Sequence, residues 1–349
     1  MLRLLWLVTI AIALWMRVPV RADELACVPD DGLSQAAAAL LLTNEQPNAA
    51  QLSAAVQEAG SDAVSLHAVF AKAGTDARLR AWLTDLRARS DVDLICGLAI
   101  NEVGSLLIAS ASAGSLAPIS PDERVVRGRL APGFARPELV IASADGTLTR
   151  LGAAGGALTR GVLLGTEFVA PLKVQLVARG PAGPRPVAER SLAAPAGPAP
   201  SSPAAATSAV EHASGASASG TDDLASLVME LRRARGRPRL RDNRLLRDAA
   251  SEHARRVCRD GRVAHELVPG SGPEARLASV GLSARLLGEA IARAADARAA
   301  LAALEHSPSH LLTLLEPRFT DVGVGRARDS LGKNCFVVLL CAWPRYMGR

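Results

Sequence analysis

Residues 286–312 read LLGEAIARAADARAALAALEHSPSHLL. A Gly-Glu pair opens this stretch, an alanine-rich segment follows, and the histidines His306 and His310 flank a Ser-Pro at its end. Alanine, leucine and arginine favour helix, and a proline just beyond the last turn is ordinary helix punctuation. The spacing therefore predicts a helix over residues 287–304. Such a helix needs no histidine, so the two histidines require a functional explanation.

The segments on either side of this stretch complete a domain over residues 222–349. Residues 224–240 contain a predicted amphipathic helix that closes at Gly236. A second helix is predicted over residues 242–261, with Asp242 as its N-cap and Gly261 as its stop. Towards the C-terminus, RFTDVGVGRARD and CFVVLLCAW read as the two apolar strands of a hairpin.

A series of short motifs runs through this domain in a characteristic order. The motifs are LRDNRLLRDAASEHARRV, an isolated AH, EARLASVG, GEAI, SPSH and PRFTDVGVG, followed by a terminal strand. This series resembles the bacterial branch of the CAP superfamily (cysteine-rich secretory proteins, antigen 5 and pathogenesis-related proteins). The resemblance covers about residues 222–343 and implies an α/β/α sandwich, in which helices flank a small antiparallel sheet. The expected fold class of the chain is therefore α+β.

The resemblance also implies a cleft lined by histidine and acidic side chains. His265 matches the family's first histidine, Glu289 matches the glutamate of its Gly-Glu-Asn motif, and His310 matches the histidine after Ser-Pro-Gly in bacterial members. Two departures accompany these matches, because Ala290 stands where the family has the asparagine and Leu304 where it commonly has a tryptophan. We expect one cleft formed by the three matched residues, with fewer polar groups than is usual in the family.

Two functions from different classes follow from such a cleft. The first is an exported binding protein for a lipid, a sterol-like molecule or another cell-envelope component. The second is a metal-assisted hydrolase of envelope material, since two imidazoles and a carboxylate are a ligand set that zinc uses with one position open. In that second hypothesis His265 and His310 bind the metal. No side chain is assigned as catalytic, and the sequence leaves open whether the protein is an enzyme.

Three further charged or titratable residues receive structural interpretations. Arg276, in EARL, is interpreted as an ion-pair partner and not as a ligand contact. His253 falls on the polar side of its predicted helix and is interpreted as structural. For His306 we expect an exposed position, or a capping role at the helix end, because Ser-Pro interrupts the helix directly after it.

The chain before this domain divides into three parts by composition. Residues 23–91 contain three stretches of helical spacing and form a predicted helical segment. Residues 92–192 hold short runs rich in Val, Ile and Leu between Gly, Pro and Asp-Gly turns, which predict a small β-sandwich-like domain. Residues 193–221 consist mainly of Pro, Ala, Ser and Gly and predict a disordered linker.

Residues 1–22 have the pattern of a secretory signal peptide. A basic start precedes the apolar run LLWLVTIAIALWM, and Val20 and Ala22 are small residues at the positions that precede a cleavage site. The run is short for a membrane span, although an uncleaved anchor is the alternative. We therefore expect a secreted or periplasmic protein without a transmembrane span in its mature form.

The five cysteines fit an oxidising compartment. Cys27 and Cys96 lie in the first part of the chain, and Cys258, Cys335 and Cys341 lie in the last domain. One disulfide in each part would leave one free thiol. Because Cys335 and Cys341 have the same parity on a predicted strand, they face the same side but are too far apart to bond each other. Cys258 could pair with either of them.

The charge is concentrated in the last domain, where residues 222–349 carry 22 basic and 15 acidic side chains, a net of +7. Such a surface could favour anionic envelope components, although a solvated arginine-rich face is the preferred interpretation. Nucleic acid is not expected as a partner, because aromatic residues make up only 3% of the chain and none are interleaved with the arginines to stack on bases. The sequence carries no signal for an oligomeric state.

Overall fold

The structure is a computed structural model that describes residues 25–73, 76–154, 156–194, 223–330 and 332–344. The expected signal peptide and the expected linker from residue 195 onward lie outside these ranges. Within them, every helix is too short or too polar to cross a lipid bilayer. Helices and strands occur together in the described part of the chain, which confirms the predicted α+β class.

A first unit, residues 25–111, is a mixed four-stranded sheet with helices on both faces. The strand order is β1-β3-β4-β2. Apolar side chains of α1 and α2 pack on one face of the sheet, and those of α3 pack on the other. The elements are β1 Val28–Pro29, α1 Asp31–Leu41, α2 Ala49–Glu58, β2 His67–Lys72, α3 Asp76–Ala88, β3 Leu94–Ile100 and β4 Gly104–Ala111.

The boundary expected at residue 92 lies within this sheet. All three stretches of helical spacing in residues 23–91 form helices, but β1 and β2 also come from this segment and pair with β3 and β4. The strands β3 and β4, which the sequence grouped with the later strands, therefore belong to the first unit. Local pattern identified β3 and β4, which pair with each other, whereas their outer partners β1 and β2 come from earlier in the chain and could not be found from pattern alone.

A middle unit, residues 114–192, has an antiparallel sheet in the order β12-β11-β8-β9 together with two short strand pairs, β5 with β7 and β6 with β10. One apolar core joins these sheets. The ADGT turn joins β8 to β9, as its Asp-Gly predicted. The elements are β5 Gly114–Leu116, β6 Val125–Val126, β7 Gly128–Leu130, β8 Ala135–Ser143, β9 Leu148–Gly152, α4 Ala157–Arg160, β10 Val162–Leu163, β11 Leu172–Gly180 and β12 Gly183–Leu192.

The C-terminal domain, residues 224–342, is the expected α/β/α sandwich. Its sheet has the order β13-β15-β16-β14, and β16 is buried at every position. One face of β16 packs against α5, α8 and α9, and the other packs against α6. The elements are α5 Leu224–Ala234, β13 Arg241–Asp242, α6 Arg244–Asp260, α7 Pro273–Ala278, β14 Leu286–Ala294, α8 Ala297–His306, α9 Pro308–Leu314, β15 Asp321–Arg328 and β16 Asn334–Ala342.

The helix predicted over residues 287–304 is wrong in its first half. Residues up to Ala294 form β14, and the helix begins only at Ala297. β14 pairs with β16 along its whole length, so backbone pairing with the central strand overrides the helix propensity of its alanines and leucines. Gly288 fits this packing, because a Cβ there would lie 2.7 Å from the ring of Phe319.

Helix ends in the C-terminal domain follow their local chemistry. Asn243, and not the predicted Asp242, is the N-cap of α6, and its side chain accepts hydrogen bonds from two backbone amides. Gly261 ends this helix in the left-handed conformation, as predicted. The Ser-Pro after His306 ends α8 and starts α9, where Pro308 occupies the first turn.

Two disulfides cross-link the fold. Cys27 is bonded to Cys96 in the first unit, and Cys258 is bonded to Cys335 between α6 and β16. The expected arrangement of one bridge in each part with one thiol left over is confirmed. The free thiol is that of Cys341, which lies buried on the same face of β16 as Cys335.

Cys341 provides a test of the core of the C-terminal domain. Burial, with a contribution from the nearby charge of Asp321, raises the pKa of this thiol to about 12. We expect the native chain to react negligibly with dithiobis(nitrobenzoate) at about pH 8, since only the thiolate is nucleophilic. After unfolding in guanidinium, absorbance should report one reactive thiol per chain. Full reaction in the native state, or more than one thiol after unfolding, would contradict the described core and pairing.

Candidate functional site

A buried carboxylate lies at the centre of the candidate site. Glu289, on β14, has a side chain that is 1% exposed. One of its oxygens accepts a hydrogen bond from Nδ1 of His265 at 2.7 Å, and the other accepts one from the guanidinium of Arg276. Burial alone raises the pKa of Glu289, but the hydrogen bond from His265 and the charges of His265 and Arg276 outweigh it, so the net shift is downward. The carboxylate is therefore held ionised.

Arg276, on α7, ties the loop before it to the sheet. Its guanidinium donates to the backbone oxygens of His265 at 2.9 Å and of Ser271 at 2.7 Å, in addition to its bond with Glu289. The interpretation of Arg276 as an ion-pair partner is confirmed. Its partner is the predicted cleft glutamate, which the sequence did not indicate, because the two residues meet only when α7 docks against β14.

A second histidine, His253, supports the loop that carries His265. His253, on α6, is buried, and its Nε2 lies 3.0 Å from the backbone oxygen of Ala264. The expectation that His253 faces the polar side of its helix is wrong, because its ring lies in the interior against the loop. Burial lowers its pKa, and the charge of Glu289 only partly opposes this. A neutral imidazole at this position therefore helps to hold His265 in place.

His310 is the third predicted residue of the cleft. It lies on α9, and its Nδ1 is 2.9 Å from the hydroxyl oxygen of Ser307. Burial, with a smaller effect from the charge of His265, lowers the pKa of His310 to about 4. The ring is therefore neutral near pH 7. His306, by contrast, is exposed and bonds to the backbone oxygen of Ala302 within its own helix.

One cavity of about 190 Å³ brings the three predicted residues together. His265, Glu289 and His310 all line it, as the sequence predicted. Ala290 and Leu304, the two positions that depart from the family pattern, do not line the cavity. Both are buried in the apolar core that α5 and α8 share with the sheet. The sequence did not indicate that seven residues of the middle unit would also line this cavity: Glu138, Arg150, Val177, Arg179, Pro184, Arg185 and Pro186.

The middle unit reaches the cavity through its β11–β12 hairpin. At the hairpin turn, a Cβ on Gly183 would lie 2.9 Å from the Cβ of His265, and Gly183 has a φ of +92° that favours glycine. The backbone amide of Glu266 donates to the oxygen of Ala182 at 3.1 Å, and Arg179 pairs with the Glu266 carboxylate at 2.9 Å. The hairpin therefore forms one side of the site.

The residues present do not fit a zinc ion. Both oxygens of Glu289 already accept hydrogen bonds, and the guanidinium of Arg276 places a positive charge against the carboxylate that would have to bind the metal. Within the described residues, no group of three or more His, Cys, Asp or Glu side chains is arranged to hold a metal ion. The metal-ligand role expected for His265 and His310 therefore has no supporting geometry.

Comparison with known proteins identifies the C-terminal domain. Residues 225–342 match the family model described as CAP, the cysteine-rich secretory protein family. No curated protein matches the chain. The family model thus agrees with the motif series in the sequence, and it covers the three cleft residues.

Three of the similar solved structures are bacterial proteins. An outer surface protein of Borrelia burgdorferi is 26% identical over 35% of this chain and 90% of its own, with a TM-score of 0.33. An extracellular SCP-domain protein of Bacillus anthracis is 23% identical over 34% and 39%, with a TM-score of 0.31. A cysteine-rich secretory protein of Staphylococcus aureus is 13% identical over 58% and 64%, with a TM-score of 0.30. The matches span less than two thirds of the latter two chains.

The first prediction from this site concerns the buried ion pair. Arg276→Gln leaves the charge of Glu289 without its guanidinium, and removing one partner of a buried pair costs about 3–5 kcal/mol. The double variant Arg276→Gln/Glu289→Gln also removes the charge, so it should lose less. Urea unfolding of the full chain measures both. Arg244→Gln, which breaks an exposed pair with Asp248, is the matched control and should change little. A double variant as unstable as the single one would contradict the pairing.

The second prediction concerns pH. Unfolded His310 takes up a proton near pH 6.5, whereas native His310 resists protonation down to about pH 4. The unfolded state therefore binds more protons in this window, and the free energy of unfolding should fall as the pH falls through it. Between about pH 7 and pH 4.5, wild type should lose about 1–2 kcal/mol more than His310→Gln in urea unfolding. Equal losses in the two proteins would show that His310 is not buried as a neutral ring.

Proposed function

Because residues 225–342 form a CAP domain, we propose that the protein is an exported binding protein whose cleft holds a small, polar component of the cell envelope. The observation that carries the proposal is the single cavity lined by His265, Glu289 and His310. The alternative hypothesis, a metal-assisted hydrolase, lacks support from the site, because Arg276 occupies the carboxylate that such a mechanism needs.

The polar lining favours a ligand that makes hydrogen bonds. The carboxylate of Glu289 only accepts, so Nδ1 of His265 carries the proton in their hydrogen bond. Nε2 of His265 has no hydrogen-bond partner among the described residues, so it is available to a polar group of a ligand. Polar groups of this kind give a small site its specificity.

The size of the cavity argues against the lipid and sterol-like candidates. Pockets for drug-sized ligands measure about 300–1,000 Å³. The cavity here, about 190 Å³, is smaller, and the hairpin of the middle unit limits it on one side. Among the ligands expected from the sequence, a small polar fragment of the envelope therefore fits best.

Export is part of the proposal and has two supports. The N-terminal sequence has the pattern of a signal peptide. Both disulfides, Cys27–Cys96 and Cys258–Cys335, suit an oxidising compartment such as the periplasm or the extracellular space.

N-acetylglucosamine, a wall sugar with several hydroxyls and an amide, is a suitable probe. We expect saturation-transfer NMR to detect its binding to the full chain, and His310→Phe and His265→Gln each to weaken binding about tenfold, because each loses a hydrogen bond inside the cavity. His306→Ala is the matched control, since this exposed histidine does not line the cavity, and it should bind like wild type.

Two outcomes of this experiment would overturn the proposal. The first is that wild type does not bind N-acetylglucosamine, and the second is that the two cleft variants bind it as well as His306→Ala does. Cholesterol sulfate serves as the apolar comparison and should give no signal that depends on His310. A His310-dependent signal from the sterol would contradict the choice of a polar ligand.

A further inference from the structure

The middle unit contributes a buried amide, that of Gln175, next to the helix that carries His310. Gln175 lies in the middle of β11 and is 2% exposed. It faces the start of α9, the helix that carries His310. Buried polar groups in proteins are almost always hydrogen-bonded, and each bond constrains which atom donates.

The partners of Gln175 fix the orientation of its amide. The backbone N–H of Ser309 can only donate, and it lies 3.0 Å from Oε1. The carboxylate of Glu189 can only accept, and its Oε2 lies 2.8 Å from Nε2 of Gln175. Exchanging the oxygen and nitrogen of the amide would break both bonds. Lys173 lies 3.1 Å from the other oxygen of Glu189 and balances its charge.

This orientation determines the direction of the next hydrogen bonds. The hydroxyl of Ser307 lies 3.3 Å from Oε1 of Gln175, and because this oxygen only accepts, Ser307 must donate to it. The oxygen of Ser307 then has lone pairs left for Ser309 Oγ, at 3.4 Å, and for Nδ1 of His310, at 2.9 Å. When Ser307 gives its single proton to Oε1, Nδ1 carries the proton of the His310 ring and Nε2 is left as an acceptor.

We propose that Gln175 is a positioning residue of the CAP cleft, which acts through Ser307 to hold His310 in the Nδ1–H tautomer. Nε2 of His310 is then an acceptor on the cavity that His265 also lines. The ligand class that matches it carries a hydrogen-bond donor, as a sugar or another polyol does. The ligand part of this inference rests on the proposed function, whereas the tautomer follows from the hydrogen bonds alone.

The test is a two-bond ¹H–¹⁵N correlation spectrum of the labelled full chain near neutral pH, which distinguishes the two ring nitrogens of each histidine. The signals of His310 are assigned by their loss in His310→Gln. We expect wild type to show a protonated Nδ1 and an unprotonated Nε2. Ser307→Ala and Gln175→Met, which remove the relay at two different points, should shift His310 towards the other tautomer. Ser307→Thr keeps the hydroxyl and should retain the wild-type pattern.

Two results would overturn the proposal: an Nε2–H tautomer in wild type, or an unchanged Nδ1–H tautomer in both Ser307→Ala and Gln175→Met. Ser307→Ala decides the matter if Gln175→Met does not fold. The same proteins are then titrated with N-acetylglucosamine, for which Ser307→Ala should bind about three- to tenfold more weakly and Ser307→Thr like wild type. If wild type shows the predicted tautomer but does not bind the sugar, the positioning role stands and the proposed ligand class fails.

Discussion

The structure of the cleft depends on one buried charge, the carboxylate of Glu289 on a strand of the central sheet. An ionised group in the interior is tolerated only when it is paired and hydrogen-bonded, and here one oxygen faces His265 and the other faces Arg276. Because Arg276 also bonds to the backbone of its own loop, satisfying the carboxylate fixes α7, the loop before it and the ring of His265. The same pairing that builds the cleft makes Glu289 a poor metal ligand.

The cleft is shared between two parts of the chain. The C-terminal domain supplies both histidines and the glutamate, and the β11–β12 hairpin of the middle unit closes one side. Gly183 approaches His265 so closely that a side chain would clash. Gln175 meets the first turn of α9 from the same sheet. The middle unit therefore limits the size of the cavity and contacts the helix that carries its second imidazole, so the shape of the cavity depends on both parts.

Neutral histidines give this site its chemical character. His253 and His310 both have lowered pKa values because they are buried, and each makes a hydrogen bond that holds its ring in place. The neutral ring of His310 therefore lines the cavity beside a carboxylate that is already paired, and the neutral ring of His253 lies behind it against the loop of His265.

The sequence by itself determined the α+β class, the CAP domain, the number of disulfides and three of the residues that line the cavity, because each depends on short motifs or on residue type. Tertiary structure decided the rest. Residues 286–294 became a strand because β16 offered a buried partner along their whole length, against the helix propensity of their alanines. Arg276 and Gln175 joined the site because α7 and β11 dock beside β14 and α9, and contacts between distant segments leave no periodic signal in the sequence.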